Sequence, residues 1–391
     1  MDMVGCHWKC FYILMGLMLL SIVLIMDIIN TEKSRIAYFL RISKKYKPQQ
    51  ECLEAERKKL ILIWHVDDTR RNPSTFHHKR YTEGLQGCSC KNCEFTLQKT
   101  DLNKSDAVII DMVPGFNISR DLPSYRPSPT QQWIFYRREP PSLLHPVQYS
   151  VFDNLINLTL TYRQDSDFPI SEFIVRRRGK SDRPYVGKDY ARNKSKLAAW
   201  FASHCYTQSK RQVFVEELLK HMDIDIYGDC GPLKCPKYEH ACQELLRNKY
   251  KFYLSFENSI CQDYVTEKFS RALSNDIVPV VLGGVAYTDY LPKSAFIDVA
   301  DFSSPKALSE YLHFLDENDD KYNEYFSWKK EYIIERIRNV DYRACDICKH
   351  LNRKNKPKNV YSNFSKWWKH CTLPVDYYKG IDFGKLADGW I

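Results

Sequence analysis

The sequence predicts an α/β protein: two domains built on parallel sheets, carried behind an N-terminal membrane span. Three observations lead there. Short apolar runs of strand length alternate with helix-length segments, the pattern of βαβ units and parallel sheets. Residues 251–284, KFYLSFENSICQDYVTEKFSRALSNDIVPVVLGG, set two apolar runs around a short helix and end in Gly283-Gly284. In such a unit the strand ends and the helix N-terminus form a ligand crevice. Residues 11–29 are apolar except for Ser21 and Asp27, close to the roughly 20 residues that cross a bilayer.

The elements follow in order. Residues 1–10 are a short tail, 11–29 the span and 30–57 a charged stem. No small-x-small cleavage site follows the apolar run, so the span reads as an uncleaved anchor. Strands are expected at 59–66, 106–112, 133–136 and 158–162, in a first α/β domain at 58–175. RRRGKSDR at 176–183 reads as a linker. The second domain, 184–345, opens with a strand at 196–203 and a helix at 212–221. A strand at 224–227 ends at Gly228. The 251–284 unit follows, with Tyr264, Glu267 and Lys268 placed on its helix. A strand at 295–299 and a helix at 305–315 come next, the helix capped by Ser303 or Ser304. A charged helical run at 331–338 precedes a basic, aromatic tail at 346–391.

At 391 residues, 44% hydrophobic and a mean hydropathy of −0.48, the chain is globular outside its span. Lys and Arg cluster just after the span, which by the positive-inside rule would put the bulk in the cytosol. Two signals oppose this. Sequons stand at Asn103, Asn117, Asn157, Asn193 and Asn363, and 12 of the 14 cysteines follow the span. Together they favour an oxidising lumen. Cys230, Cys235 and Cys242 are too irregularly spaced for zinc. The close pair Cys345 and Cys348 reads as a structural disulfide. The net charge of +10 is dispersed, which fits a solvated basic surface and not a nucleic-acid partner.

Within 251–284, Lys268 suits a phosphate and Glu267 suits sugar or ribose hydroxyls, both at a helix start where anions are favoured. Glu257, Asn258 and Tyr264 add carboxylate, amide and phenol. Upstream, Arg211 follows a strand end and opens a helix, a second cation for a diphosphate.

The run FENSICQDYVTEKFSRALSNDIVPVVLGG resembles the signature of the α-1,3-fucosyltransferases. The likeness continues through YLPKSAFIDVADFSSPKALSEYLHFLDEN at 290–318 and VFDNLINLTLTYRQDSD at 151–167, so it covers most of residues 60–350. It implies two Rossmann-like domains facing a cleft (GT-B type) in a single-pass type II Golgi membrane enzyme with its catalytic region in the lumen. The implied reaction carries L-fucose from GDP-β-L-fucose to a GlcNAc hydroxyl, with inversion. The acceptor would be an N-glycan or a glycolipid. No cofactor would be required, a divalent metal at most stimulating the reaction, and a homodimer through the stem is an arrangement the chain allows. By the same resemblance Arg211 and Lys268 meet the pyrophosphate, Tyr264 lies near phosphate and fucose, Glu267 meets the ribose, and Glu257 and Asn258 share the pocket. The stretch WIFYRREPPS at 133–142 resembles the family segment that carries the general base, which assigns that role to Glu139. His204 stands where members often have Asn. VIIDM at 108–112 replaces the His-His-Arg/Trp-Asp stretch of Lewis-type members, which leaves the acceptor and α-1,3 versus α-1,4 linkage open.

Two other readings remain. A metal-dependent transferase would use Asp165 and Asp167, or Asp223 and Asp225, as an Asp-x-Asp motif. A lumenal glycan-binding protein would use Trp367 and Trp368 for stacking, although these suit a core equally well.

Overall fold

The computed structural model describes residues 57–64, 81–112, 116–143, 148–235, 240–336, 343–353 and 359–380. The expected span and nearly all of the stem lie outside them. Among the described residues no helix is long and apolar enough to cross a membrane.

Among the described residues two five-stranded sheets carry the fold. The first contains β1 (Lys59–Trp64), β2 (Cys93–Thr96), β3 (Ala107–Asp111), β4 (Gln132–Arg137) and β5 (Leu158–Thr161), in the order β2-β1-β3-β4-β5. An antiparallel ribbon pairs β6 (Phe173–Arg177) with β12 (Tyr332–Arg336). The second sheet contains β7 (Lys196–Phe201), β8 (Ile224–Tyr227), β9 (Tyr250–Phe256), β10 (Val278–Leu282) and β11 (Ile297–Asp298), in the order β11-β10-β9-β7-β8. Every pairing within both sheets is parallel. Each sheet therefore has the same winding: the second strand in sequence lies outside the first, and the third turns to the other side. That reversal is the switch point at which open α/β sheets bind ligands, beyond the carboxyl ends of the strands. In the second sheet it falls between β7 and β9.

The strands read as unbroken apolar runs because both faces are covered. In the first sheet Ile61, Ile63, Ile109, Ile134 and Leu160 face one cluster with Ile347 and Leu351. Leu62, Val108, Ile110, Trp133 and Phe135 face another with Phe364 and Trp368. The chain therefore returns to the first sheet after completing the second. In β10 all five residues are buried, each apolar side chain contributing about 1.5–3 kcal/mol. Gly284 permits the turn that follows: a Cβ there would lie 2.5 Å from the Cys261 carbonyl oxygen.

Four helices matter below: α1 (Arg211–Leu218), α2 (His240–Lys249), α3 (Glu267–Ser274) and α4 (Pro305–Glu317). The Ser304 hydroxyl caps α4 by accepting from the Ala307 N–H, as expected. Strand β2 and helix α2 were not anticipated.

Several expectations are corrected. The expected helical run at 331–338 is overturned where it is described: Tyr332–Arg336 is a strand whose apolar Ile333 and Ile334 pair against β6. The expected linker at 176–183 accordingly begins inside β6, where Arg176 pairs with Glu335 and Asp182. Cys345 and Cys348 do not bond to each other. Both lie on helix α5 (Ala344–Leu351), and their i,i+3 spacing puts them on one face. They bond to Cys88 and Cys93 respectively, with Cα separations of 5.3 and 5.8 Å. Asn157 is not presented for glycosylation, being 5% exposed. Its side-chain oxygen accepts from the Trp133 N–H and its amide nitrogen donates to the Asn359 carbonyl. Asn103, Asn117, Asn193 and Asn363 are exposed.

Candidate active site

The expected site residues gather at the carboxyl end of the second sheet. Strand β9 ends at Phe256, and Glu257 is held there by its own N–H, which donates to the Leu282 carbonyl at the end of β10. Glu257 is fully buried. Its carboxylate accepts from the Thr266 N–H at 2.8 Å, from the Thr266 hydroxyl, and from Lys268 Nζ at 2.9 Å. Burial pushes the Glu257 carboxyl up, and Lys268 opposes it. Burial works against the Lys268 charge, yet Glu257 and Glu267 outweigh it and hold the ammonium above its usual range. The pair presents a fixed cation at the start of α3, where the helix end adds positive potential.

Thr266, which sequence reading passed over, occupies the N-cap position without capping the helix. Its hydroxyl is spent on Glu257 and accepts from Lys268 at 2.7 Å. A Thr beside a Glu-Lys pair was the available signal.

Glu267 opens α3 with a side chain 35% exposed. Burial would raise its carboxyl, but Lys268 and Arg271 bring it down to about 2. It is therefore an anion at any physiological pH, an acceptor for hydroxyls. Tyr264 precedes α3 and does not lie on it, contrary to expectation.

Arg211 is the first residue of α1 and is 2% exposed. Its terminal nitrogens donate to the carbonyls of Phe256, at 2.6 Å, and His204, at 2.8 Å. Both prongs are thus engaged, and the fork is not offered bidentately to a ligand. Its Nε has no partner. Asn258, 9% exposed, likewise has a buried side-chain oxygen with none. Buried polar atoms of this kind need a partner, which water, an ion or a ligand can supply.

Glu139 comes from the other sheet, just after β4, and is exposed. The Tyr264 hydroxyl donates to Glu139 Oε2 at 2.7 Å. A second link joins the Ser142 and Ser259 hydroxyls at 2.7 Å. The Tyr264 ring is 2% exposed and meets Tyr162 edge-on at 5.1 Å. Burial, and then the charge of Glu139, keep its phenol protonated. The donor-side cluster and the expected base therefore meet at one hydrogen bond.

Three of the four aspartates of the alternative metal motifs are otherwise engaged, and the fourth, Asp223, is exposed. Asp165 accepts from Arg163 at 2.9 and 2.8 Å and from Trp367 Nε1 at 3.0 Å. Asp167 accepts from Thr159 and Tyr361, and Asp225 from Lys196 and Tyr250. Among the described residues no group of three or more His, Cys, Asp or Glu side chains could hold a metal. Trp368 is fully buried among Phe135, Tyr162 and Phe364, which removes it as a stacking platform.

Residues 191–367 match the family described as glycosyltransferase family 10 (fucosyltransferase), C-terminal part, and residues 56–171 match the fucosyltransferase N-terminal family. The chain belongs to glycosyltransferase family 10, the fucosyltransferases. It is 34% identical over 330 residues to the α-(1,3)-fucosyltransferase fut-1 of Caenorhabditis elegans, covering 80% of this chain and 70% of that one. It is 36% identical to the 4-galactosyl-N-acetylglucosaminide 3-α-L-fucosyltransferase 9 of Bos taurus, covering 71% and 75%. A solved α1,3-fucosyltransferase shares the fold, with a TM-score of 0.51 at 16% identity over 80% of this chain and 95% of that one. In this fucosyltransferase the two matched segments supply the two sheets, so Glu139 falls in the first and the Glu257–Lys268 pair in the second.

Proposed function

We propose that this fucosyltransferase moves L-fucose from GDP-β-L-fucose to a GlcNAc hydroxyl, inverting the anomeric centre to give an α-1,3 linkage. The observation that carries this reading is the Tyr264–Glu139 bond, which sets a carboxylate from one sheet against the anion-binding end of the other. Glu139 takes the proton of the acceptor hydroxyl as its oxygen bonds to the fucose C1. The C1–O bond to GDP breaks on the opposite face, and GDP leaves with the electron pair. Lys268 offsets the charge developing on the diphosphate and Arg211 Nε supplies one further donor. Glu267 accepts from the ribose hydroxyls. Glu257 acts by holding Lys268, with Asn258 lining the same pocket. No metal is needed when fixed cations already face the leaving group.

The acceptor is a glycan of glycoprotein or glycolipid, presented in the Golgi lumen to an enzyme anchored by residues 11–29. Five disulfides among the described residues support an oxidising compartment. The test is incubation of the full chain with GDP-fucose and a panel of chitobiose-core, LacNAc and LacdiNAc acceptors, with and without EDTA. Transfer to a GlcNAc 3-hydroxyl, read by NMR and surviving EDTA, is expected. Loss of activity in EDTA restored by Mn²⁺, or no transfer from GDP-fucose, would contradict it.

A further inference from the structure

Residues beyond 367 lie outside the matched family segment, yet they are built into the donor side of the site. Cys371 is bonded to Cys261, three residues after Asn258. Backbone bonds flank the disulfide: the Gln262 N–H donates to the His370 carbonyl at 2.9 Å, and the Thr372 N–H to the Ile260 carbonyl at 2.7 Å. The Gln208 side chain ties the same strap to the loop after β7, donating to the Thr372 carbonyl and accepting from the Ile260 N–H. Tyr378 is 6% exposed and stacks on Phe214 at 5.2 Å. Its hydroxyl donates to the Ser209 carbonyl at 2.6 Å. The Tyr377 hydroxyl accepts from the Gly283 N–H at 3.4 Å. The strap therefore touches the loop after β7, the loop after β9 and the end of β10. The first two flank the switch point of the second sheet, and the third lies beside β9.

Tyr377 differs from its neighbour in one respect. The Tyr378 proton is used on a carbonyl, whereas Tyr377 accepts one long bond and donates none among the described residues. Burial first, and then Asp298, keep its phenol protonated, so it remains a donor. Arg211 Nε and the Asn258 side-chain oxygen stand unpartnered and buried on the same edge. Two spare donors and one spare acceptor suit a nucleoside diphosphate, whose phosphate and ribose oxygens accept and whose hydroxyl or base N–H groups donate.

We infer that the 371–378 strap is a wall of the donor site, and that Tyr377 positions the nucleotide part of the donor by donating its hydroxyl proton. The inference rests on the GDP-fucose reading above. Tyr377 is a positioning residue, since the reacting atoms belong to Glu139 and the acceptor.

The test compares the full chain with Tyr377→Phe, which keeps the ring and removes the donated hydrogen bond together with the long one accepted from the Gly283 N–H. The KM for GDP-fucose should rise about 10-fold, the worth of one such bond. The kcat and the acceptor KM should stay within about twofold, and melting without nucleotide should be unchanged while the GDP-induced shift shrinks. A Cys261→Ser, Cys371→Ser double variant, which releases the strap, should raise the same KM. An unchanged donor KM in both variants, with wild type binding GDP, would overturn the role of the strap alone. Absence of GDP binding to wild type would overturn the donor reading and this inference with it.

Discussion

The Tyr264 hydroxyl donates to the Glu139 carboxylate across 2.7 Å, joining residues that follow different sheets. One carboxylate oxygen is thereby fixed, and Oε1 makes no bond among the described residues. Tyr264→Phe keeps the ring against Tyr162 and frees the carboxylate. A hydrogen bond to a charged group is worth about 1.5–3 kcal/mol, so kcat should fall between roughly 10- and 100-fold, with the donor KM little changed. Steady-state kinetics with both substrates varied will check this.

Lys268 and the fully buried Glu257 form an ion pair at 2.9 Å. Lys268→Ala strands a buried carboxylate, a change that costs about 3–5 kcal/mol, and the melting temperature should drop by several degrees. Adding Glu257→Gln should restore most of that loss without restoring GDP binding. Melting curves of the single and double variants, each with and without GDP, measure both effects.

Non-reducing peptide mapping should recover Cys88 linked to Cys345 and Cys93 linked to Cys348. A Cys345–Cys348 loop peptide should be missing. The two bonds run side by side, so with Cys93–Cys348 intact, replacing Cys88 and Cys345 together by Ser releases only a short additional loop and should cost about 2 kcal/mol, the low end for a disulfide.

Much of this fold was legible because it rests on local patterns. The all-apolar run at 278–282 could only be a strand covered on both faces, and Ser304 before Pro305 announced a helix start. The run at 331–338 misled because its charges recur at helical spacing. What decides it is the partner strand 173–177, which no local window contains. Disulfide partners fail for the same reason, since spacing alone does not specify connectivity. At the site, the residue types were readable but their division of labour was not. Glu257 looks like a ligand contact in sequence and is buried as the support for Lys268. The fork of Arg211 is spent on two carbonyls. Tyr377 lies more than 90 positions from Gly283, and only the Cys261–Cys371 bond reveals why they meet.

Burial raises the Asp111 carboxyl to about 7, against the opposing charge of Arg137. An unfolded aspartate titrates near 3.9. Between these values the folded state binds more protons, so this group's contribution is fully present below about pH 3.9 and is lost as pH rises towards 7. Asp111→Asn should flatten that part of the pH–melting profile and raise the melting temperature above pH 7. A profile parallel to wild type from pH 4 to 8 would contradict the burial of a carboxylate there.

The reaction described above depends on Glu139 as the base. The direct test is Glu139→Gln, assayed for GDP-fucose binding by calorimetry and for transfer under saturating acceptor. General-base catalysis contributes roughly 10²–10⁴-fold. Binding should stay within about twofold of wild type while kcat falls by at least about 100-fold, the low end of that range. Transfer at a near wild-type rate would contradict the account and move the base elsewhere in the cleft.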